Sequence, residues 1–173
     1  MSKDPIISLA KIAKKIKVRD HYLACRLETK ADDAYRAWRD PNSFLRWFVP
    51  PELSVVSYEH DDAMNKIVLE NNLGDEIGYR LRYNRDKPNS IIQLSVGLYF
   101  DDQREGENEA SFTVKFDELS ELCDMLGEET KVTFVQLLIR HPTVSAWYSA
   151  DGCGLHKQWT SAFERYVARA EAR

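Results

Sequence analysis

The residues best suited to chemistry near neutral pH are three cysteines and four histidines, and only one pair among them has a useful spacing. Cys153 and His156 lie three residues apart at the start of a segment with helical periodicity. A helix N-terminus favours a thiolate, and a nearby imidazole can take its proton. The sequence identifies no third residue to orient that imidazole, and Gly152-Cys153-Gly154 reads more simply as a turn entering a helix. No catalytic residue is assigned on this basis, and Cys153 is expected to be dispensable. His21, His60 and His141 show no His-x-x-x-His spacing, and Cys25, Cys123 and Cys153 form no Cys-x-x-Cys pair, so no metal ligand is assigned either. Gly-x-Ser-x-Gly, phosphate-loop and dinucleotide-binding patterns do not occur, and no cofactor is expected.

The elements that would position a site belong to one domain. The chain has 173 residues, 43% of them hydrophobic and 30% charged, enough apolar material for one sizeable core. Its longest uncharged stretch, residues 88–100, is thirteen residues, against the roughly 20 a membrane-spanning helix needs. With no secretory pattern at the N-terminus and an odd number of unpaired-looking cysteines, the expected address is the cytoplasm. The formal charge of −4 offers no general attraction to nucleic acid. It is unevenly spread: residues 1–19 carry +5 and the remainder −9. Eleven acidic side chains in residues 101–129 read as a solvated loop, or as a docking face for a partner or for the chain's own basic N-terminus.

Asp4-Pro5 followed by Ile6, Leu9, Ala13 and Ile16 predicts a short basic amphipathic helix within residues 1–18, an accessory to a single domain of residues 19–173. Alternation of Leu23, Cys25 and Leu27 predicts a first strand over residues 21–30. Thr29 with Asp32 resembles a capping box opening a helix that ends before Pro41. Asp40 and Pro41 then start a second helix, which Pro50-Pro51 stop. Six strands are expected next, over residues 53–58, 66–70, 78–84, 90–100, 110–116 and 131–139, as an antiparallel meander. Leu119, Leu122 and Leu126 suggest a helical insertion over residues 117–126. Finally, Leu155, Trp159, Ala162, Phe163, Tyr166, Val167 and Ala170 form one apolar stripe at helical spacing, so the last helix must be buried along one face.

This order is that of an α+β helix-grip fold, with a curved antiparallel sheet wrapped around a long C-terminal helix and two short helices after the first strand. Tyr35-Arg36-Ala37-Trp38-Arg39-Asp40-Pro41 with Phe44-Leu45-Arg46-Trp47-Phe48, Thr130-Lys131-Val132-Thr133-Phe134, and Gly154-Leu155-His156-Lys157-Gln158-Trp159 with Phe163 resemble segments of the START-like SRPBCC superfamily, specifically the activator of heat-shock protein 90 ATPase homologue family. The resemblance implies a cavity between sheet and last helix. Trp47, Phe48, Leu94, Val96, Phe112, Val114, Trp159 and Phe163 are its candidate walls, though each would also serve as ordinary core. The expected function is non-catalytic binding of a small apolar or amphipathic molecule. The alternatives are a co-chaperone-like module stimulating a heat-shock protein 90 ATPase, or a cyclase- or hydrolase-type enzyme using the same cavity.

Overall fold

The computed structural model describes residues 20–99, 109–122, 127–142 and 154–171. The chain runs β1 (Asp20–Leu27), α1 (Ala31–Arg39), α2 (Pro41–Phe48), β2 (Ser54–His60), β3 (Met64–Glu70), β4 (Glu76–Lys87), β5 (Ile91–Tyr99), β6 (Ala110–Leu122), β7 (Glu129–Arg140) and α3 (Leu155–Glu171). The strands form one antiparallel sheet in the order β1-β7-β6-β5-β4-β3-β2, a meander closed by the first strand lying beside the last. The basic N-terminal helix expected in residues 1–18 lies outside the described residues, as do Cys153 and much of the acidic stretch.

Alternation along the strands puts Leu27, Ile67, Leu69, Tyr79, Leu81, Leu94, Phe112, Val114, Val135 and Leu137 in one buried core. α3 covers this face with Leu155, Trp159, Ala162, Phe163 and Tyr166, all buried. Each large side chain so buried contributes roughly 1.5–3 kcal/mol relative to an exposed one. Bulges between Val55 and Ser57 in β2 and between Tyr83 and Arg85 in β4 bend that edge of the sheet. Gly154, at φ +76°, occupies a left-handed turn that favours glycine, and its carbonyl accepts the Gln158 N–H at 2.9 Å to start α3. The result is the α+β helix-grip fold.

Two local expectations are corrected. Residues 117–122 are not helical: β6 continues through them, with Glu118 opposite Thr133, Leu119 opposite Val132 and Leu122 opposite Glu129. A helix there needs a surface to bury its leucine stripe, whereas Leu119 and Leu122 remain 52% and 74% exposed; backbone pairing with β7 decides the conformation instead. Residues 123–126 of that expected insertion lie outside the described residues. Nor does a Thr29–Asp32 capping box open α1. Lys30 occupies the N-cap without a side-chain hydrogen bond, and the Ala31 N–H is taken by Glu118 Oε2 from β6 at 2.8 Å. Asp40 does cap α2 as expected, its Oδ2 accepting the Ser43 N–H at 2.8 Å.

Both caps supply acceptors to amides that their helices leave unpaired. Glu118→Ala and Asp40→Ala should each lower stability by about 1 kcal/mol in urea unfolding. Glu121→Ala, which removes an exposed ion pair to Arg26, should cost less than about 0.5 kcal/mol. Equal costs for Glu118 and Glu121 would show that the long-range cap contributes nothing beyond surface charge.

Candidate functional site

The eight expected wall residues all fall in one continuous core. Leu94 is in register with Phe112, Val96 with Ala110, and Ile92 with Val114, so Leu94, Val96, Phe112 and Val114 share the face beneath α3. Trp159 lies at the centre of this face: its ring centroid is 4.6 Å from Phe112 and 5.2 Å from Phe48, and it stacks on Trp38 at 6.5 Å. Trp47 adjoins Phe48 at 6.4 Å, and Phe163 adjoins Tyr166 at 5.8 Å, which in turn meets Trp47 at 5.3 Å. Trp38, Phe44, Tyr79 and Tyr166 also belong to this aromatic group and were not among the expected walls, although Phe44, Tyr79 and Tyr166 occupy apolar slots in their own periodic patterns.

Polar groups punctuate this interior. The Tyr79 hydroxyl donates to Gln158 Oε1, and burial, more than offsetting that bond, pushes the phenol up to about 12, so it keeps its proton. Trp159 Nε1 is buried and has no acceptor among the described residues. An unpaired buried donor costs about 1–3 kcal/mol, so this indole N–H is a standing demand for an acceptor inside the grip.

The helices that close one end are fixed by hydrogen bonds from α3. Arg165 donates through Nε to Trp47 O at 2.8 Å and through Nη2 to Phe48 O at 2.9 Å, satisfying the last carbonyls of α2 with a cation where the helix dipole favours one. Tyr166 donates to Ala34 O at 3.0 Å and Trp47 Nε1 to Ala37 O at 2.7 Å, so α1, α2 and α3 form one unit. A crevice of about 220 Å³ runs between these helices, lined in part by Ala37, Arg46, Trp47 and Tyr166. Of the eight expected residues, Trp47 alone borders it.

At the β2–β3–β4 edge the same face turns polar. Asn65 occupies the slot that alternation with Ile67 and Leu69 would fill with an apolar residue, and it is 2% exposed. Its Nδ2 donates to the Tyr83 hydroxyl at 3.0 Å, and its Oδ1 meets His60 Nδ1. The Arg39 guanidinium, from the end of α1, stacks 3.8 Å above the Tyr83 ring and pairs through Nε with Asp86 Oδ2 at 2.8 Å. Tyr35 donates to the other Asp86 oxygen at 2.7 Å. Sequence reasoning missed this cluster; the signal available was the polar Asn65 in an otherwise apolar alternation.

A third group lies where β1, β7 and α3 meet. His141 Nε2 and His156 Nε2 are 2.8 Å apart, both rings buried, and one of the two must donate. The Thr160 hydroxyl donates to His156 O at 2.8 Å, so it accepts at 3.1 Å from His21 Nε2, which fixes that tautomer. His21 stacks on His156 at 4.9 Å, so their in-plane nitrogens do not converge. Among the described residues, no set of His, Cys, Asp or Glu is placed to hold a metal ion. Among those residues there is also no helix long and apolar enough to cross a membrane.

No protein-family model matches the chain, and no curated protein matches it. Solved structures do resemble it in three dimensions. A protein from Arthrobacter aurescens, determined by solution NMR, superposes with a TM-score of 0.72 at 11% identity over 88% of this chain and 86% of its own. A Mycobacterium smegmatis protein gives 0.70 at 12% identity, covering 90% and 92%, and a Chromobacterium violaceum protein gives 0.64 at 17% identity, covering 88% and 98%. At these identities the likeness shows the shared fold alone.

His141 carries a pH prediction. Burial, then the charges that His156 and His21 would carry, depress its pKa from 6.5 to about 4, with Asp20 opposing. The folded state therefore binds fewer protons than the unfolded state between these values, and the associated stability is present above pH 6.5 and lost as pH falls towards 4. Thermal melts between pH 7 and 4.5 should show the wild type losing on the order of 1 kcal/mol more than His141→Gln. Parallel loss in both proteins would assign the acid sensitivity to other groups.

Proposed function

We propose that this protein is a non-catalytic, START-like domain of the SRPBCC superfamily, of the kind represented by activator of heat-shock protein 90 ATPase homologues. In this reading it binds a small apolar or amphipathic molecule between the sheet and α3, and works in the cytoplasm. The observation that carries the reading is Trp159 Nε1, a buried donor without an acceptor among the described residues, on an indole ring in contact with those of Phe48 and Phe112. A binding interior needs apolar walls and a few polar groups left to fix orientation, and this arrangement supplies both. The helix-grip fold supports the reading, as do the residue patterns around Trp47, Thr133 and Trp159. No chemical step is assigned to any residue; Cys153, expected to be dispensable, lies outside the described residues.

Trp38, Trp47 and Trp159 belong to one ring cluster, so ligand entry should change tryptophan emission. Phe163→Trp enlarges a side chain in a packed interior, and should weaken binding about 5-fold or more while the folding cost stays within about 1–3 kcal/mol. Cys153→Ser should leave binding intact. If fatty acids, sterols and aromatic polyketides neither alter the emission nor displace a fluorescent probe, the ligand-binding reading fails and the protein-partner reading of the same family takes its place.

A further inference from the structure

The polar edge of the concave face contains two hydrogen-bonding atoms that the protein does not use. Tyr58 Oη and Arg39 Nη1 are both buried and have no hydrogen-bond partner among the described residues. They belong to one contiguous patch: Arg39 lies over Tyr83, Tyr83 is bonded to Asn65, Asn65 to His60, and the His60 ring stacks on Tyr58 at 6.0 Å. The rings of Tyr58 and Tyr83 also pack against the hydrophobic core that α3 covers, so the patch is continuous with the grip interior.

We infer that this patch recognises an uncharged carbonyl oxygen on the ligand held in the grip, with Tyr58 Oη and Arg39 Nη1 as its donors. The inference rests on the binding reading above and narrows its ligand class. Two unpartnered donors in one contiguous patch, with Arg39 close enough to act electrostatically on Tyr58, call for an acceptor, and a carbonyl has two lone pairs to receive them. Tyr58 is fit for donation because burial raises its phenol to about 12 and keeps it protonated. A carboxylate fits less well. The Arg39 charge is already balanced by Asp86, and Asp40 acts electrostatically on Tyr58, so an added anion would enter a patch with no unmatched positive charge. The other two Arg39 nitrogens are occupied, Nε by Asp86 and Nη2 by the Asp62 carbonyl at 3.3 Å, which holds the guanidinium in place for its third.

The test uses three naphthalenes of one ring system on the full chain, read by tryptophan emission: the uncharged ketone 6-propionyl-2-dimethylaminonaphthalene, its propyl analogue lacking the oxygen, and the matching 2-naphthoate. The ketone should bind about 5-fold tighter than either of the others, the ratio one net hydrogen bond provides. Tyr58→Phe should remove that advantage and leave the affinity for the propyl analogue unchanged. Its melting temperature should equal or exceed that of the wild type, because the lost hydroxyl has no protein partner. Arg39→Lys, which keeps the charge beside Asp86, should also remove the ketone advantage. Unchanged ketone binding in Tyr58→Phe, equal binding of ketone and propyl analogue, or preference for the naphthoate would overturn the inference while leaving the binding reading standing. Failure of all three compounds to bind would overturn the inference, and the binding reading with it where the fatty acids, sterols and aromatic polyketides fail too.

Discussion

One apolar face shared by six of the seven strands is the constraint from which the architecture follows. β1 and β3 to β7 each turn apolar residues to the same side, so the sheet presents a broad hydrophobic surface there, and water must be kept from it. α3 is the principal cover, and its stripe from Leu155 to Tyr166 is buried. A single helix is about 10 Å across while adjacent strands are about 4.8 Å apart, so it cannot shield six strands. Bending the sheet around the helix and adding α1 and α2 at one side complete the cover. This is why Arg165 and Tyr166, on α3, hydrogen-bond backbone carbonyls of α2 and α1: the supplementary cover is attached to the primary one.

The same limit explains why the concave face is not chemically uniform. Beneath α3, where water is excluded, the inward slots hold Tyr79, Leu94, Phe112 and Leu137. Towards β2 the inward slots become Tyr58, His60, Asn65 and Tyr83, and Arg39 reaches in from α1 to form the polar counterpart of the hydrophobic cover. In the binding role proposed above, a face that is apolar at its centre and polar at one edge would give opposite ends of one small amphipathic molecule different surroundings.

Elements whose signals are local were legible from the amino-acid order. The α3 stripe, the Asp40-Pro41 helix start and the alternation in β4 and β5 each come from neighbouring residues, and each appears where expected. Long-range partners were not legible. The Ala31 amide is capped by Glu118, 87 residues away, and no periodicity reports that contact. Residues 117–122 show the converse: Leu119 and Leu122 imitate a helical face, but pairing with β7 overrides the imitation. All eight expected wall residues are core, yet the polar cluster at the far edge escaped notice because its members come from α1, β2, β3 and β4 and meet only in the fold.

The neighbour of the first strand has a bearing on how the molecule comes into being. β1 finds no partner in the strands that directly follow it; its registry is with β7, from Asp20 opposite Arg140 to Leu27 opposite Thr133. As the chain is synthesised, Leu23, Cys25 and Leu27 emerge ahead of the other described strands, and their partner β7 follows only after more than 100 further residues have appeared. β2 through β6 can zip together by successive hairpins in the meantime, each closing a short loop. Closure of β1 onto β7 is therefore a late, high-contact-order event, and the step at which the nascent protein is most exposed to mispairing.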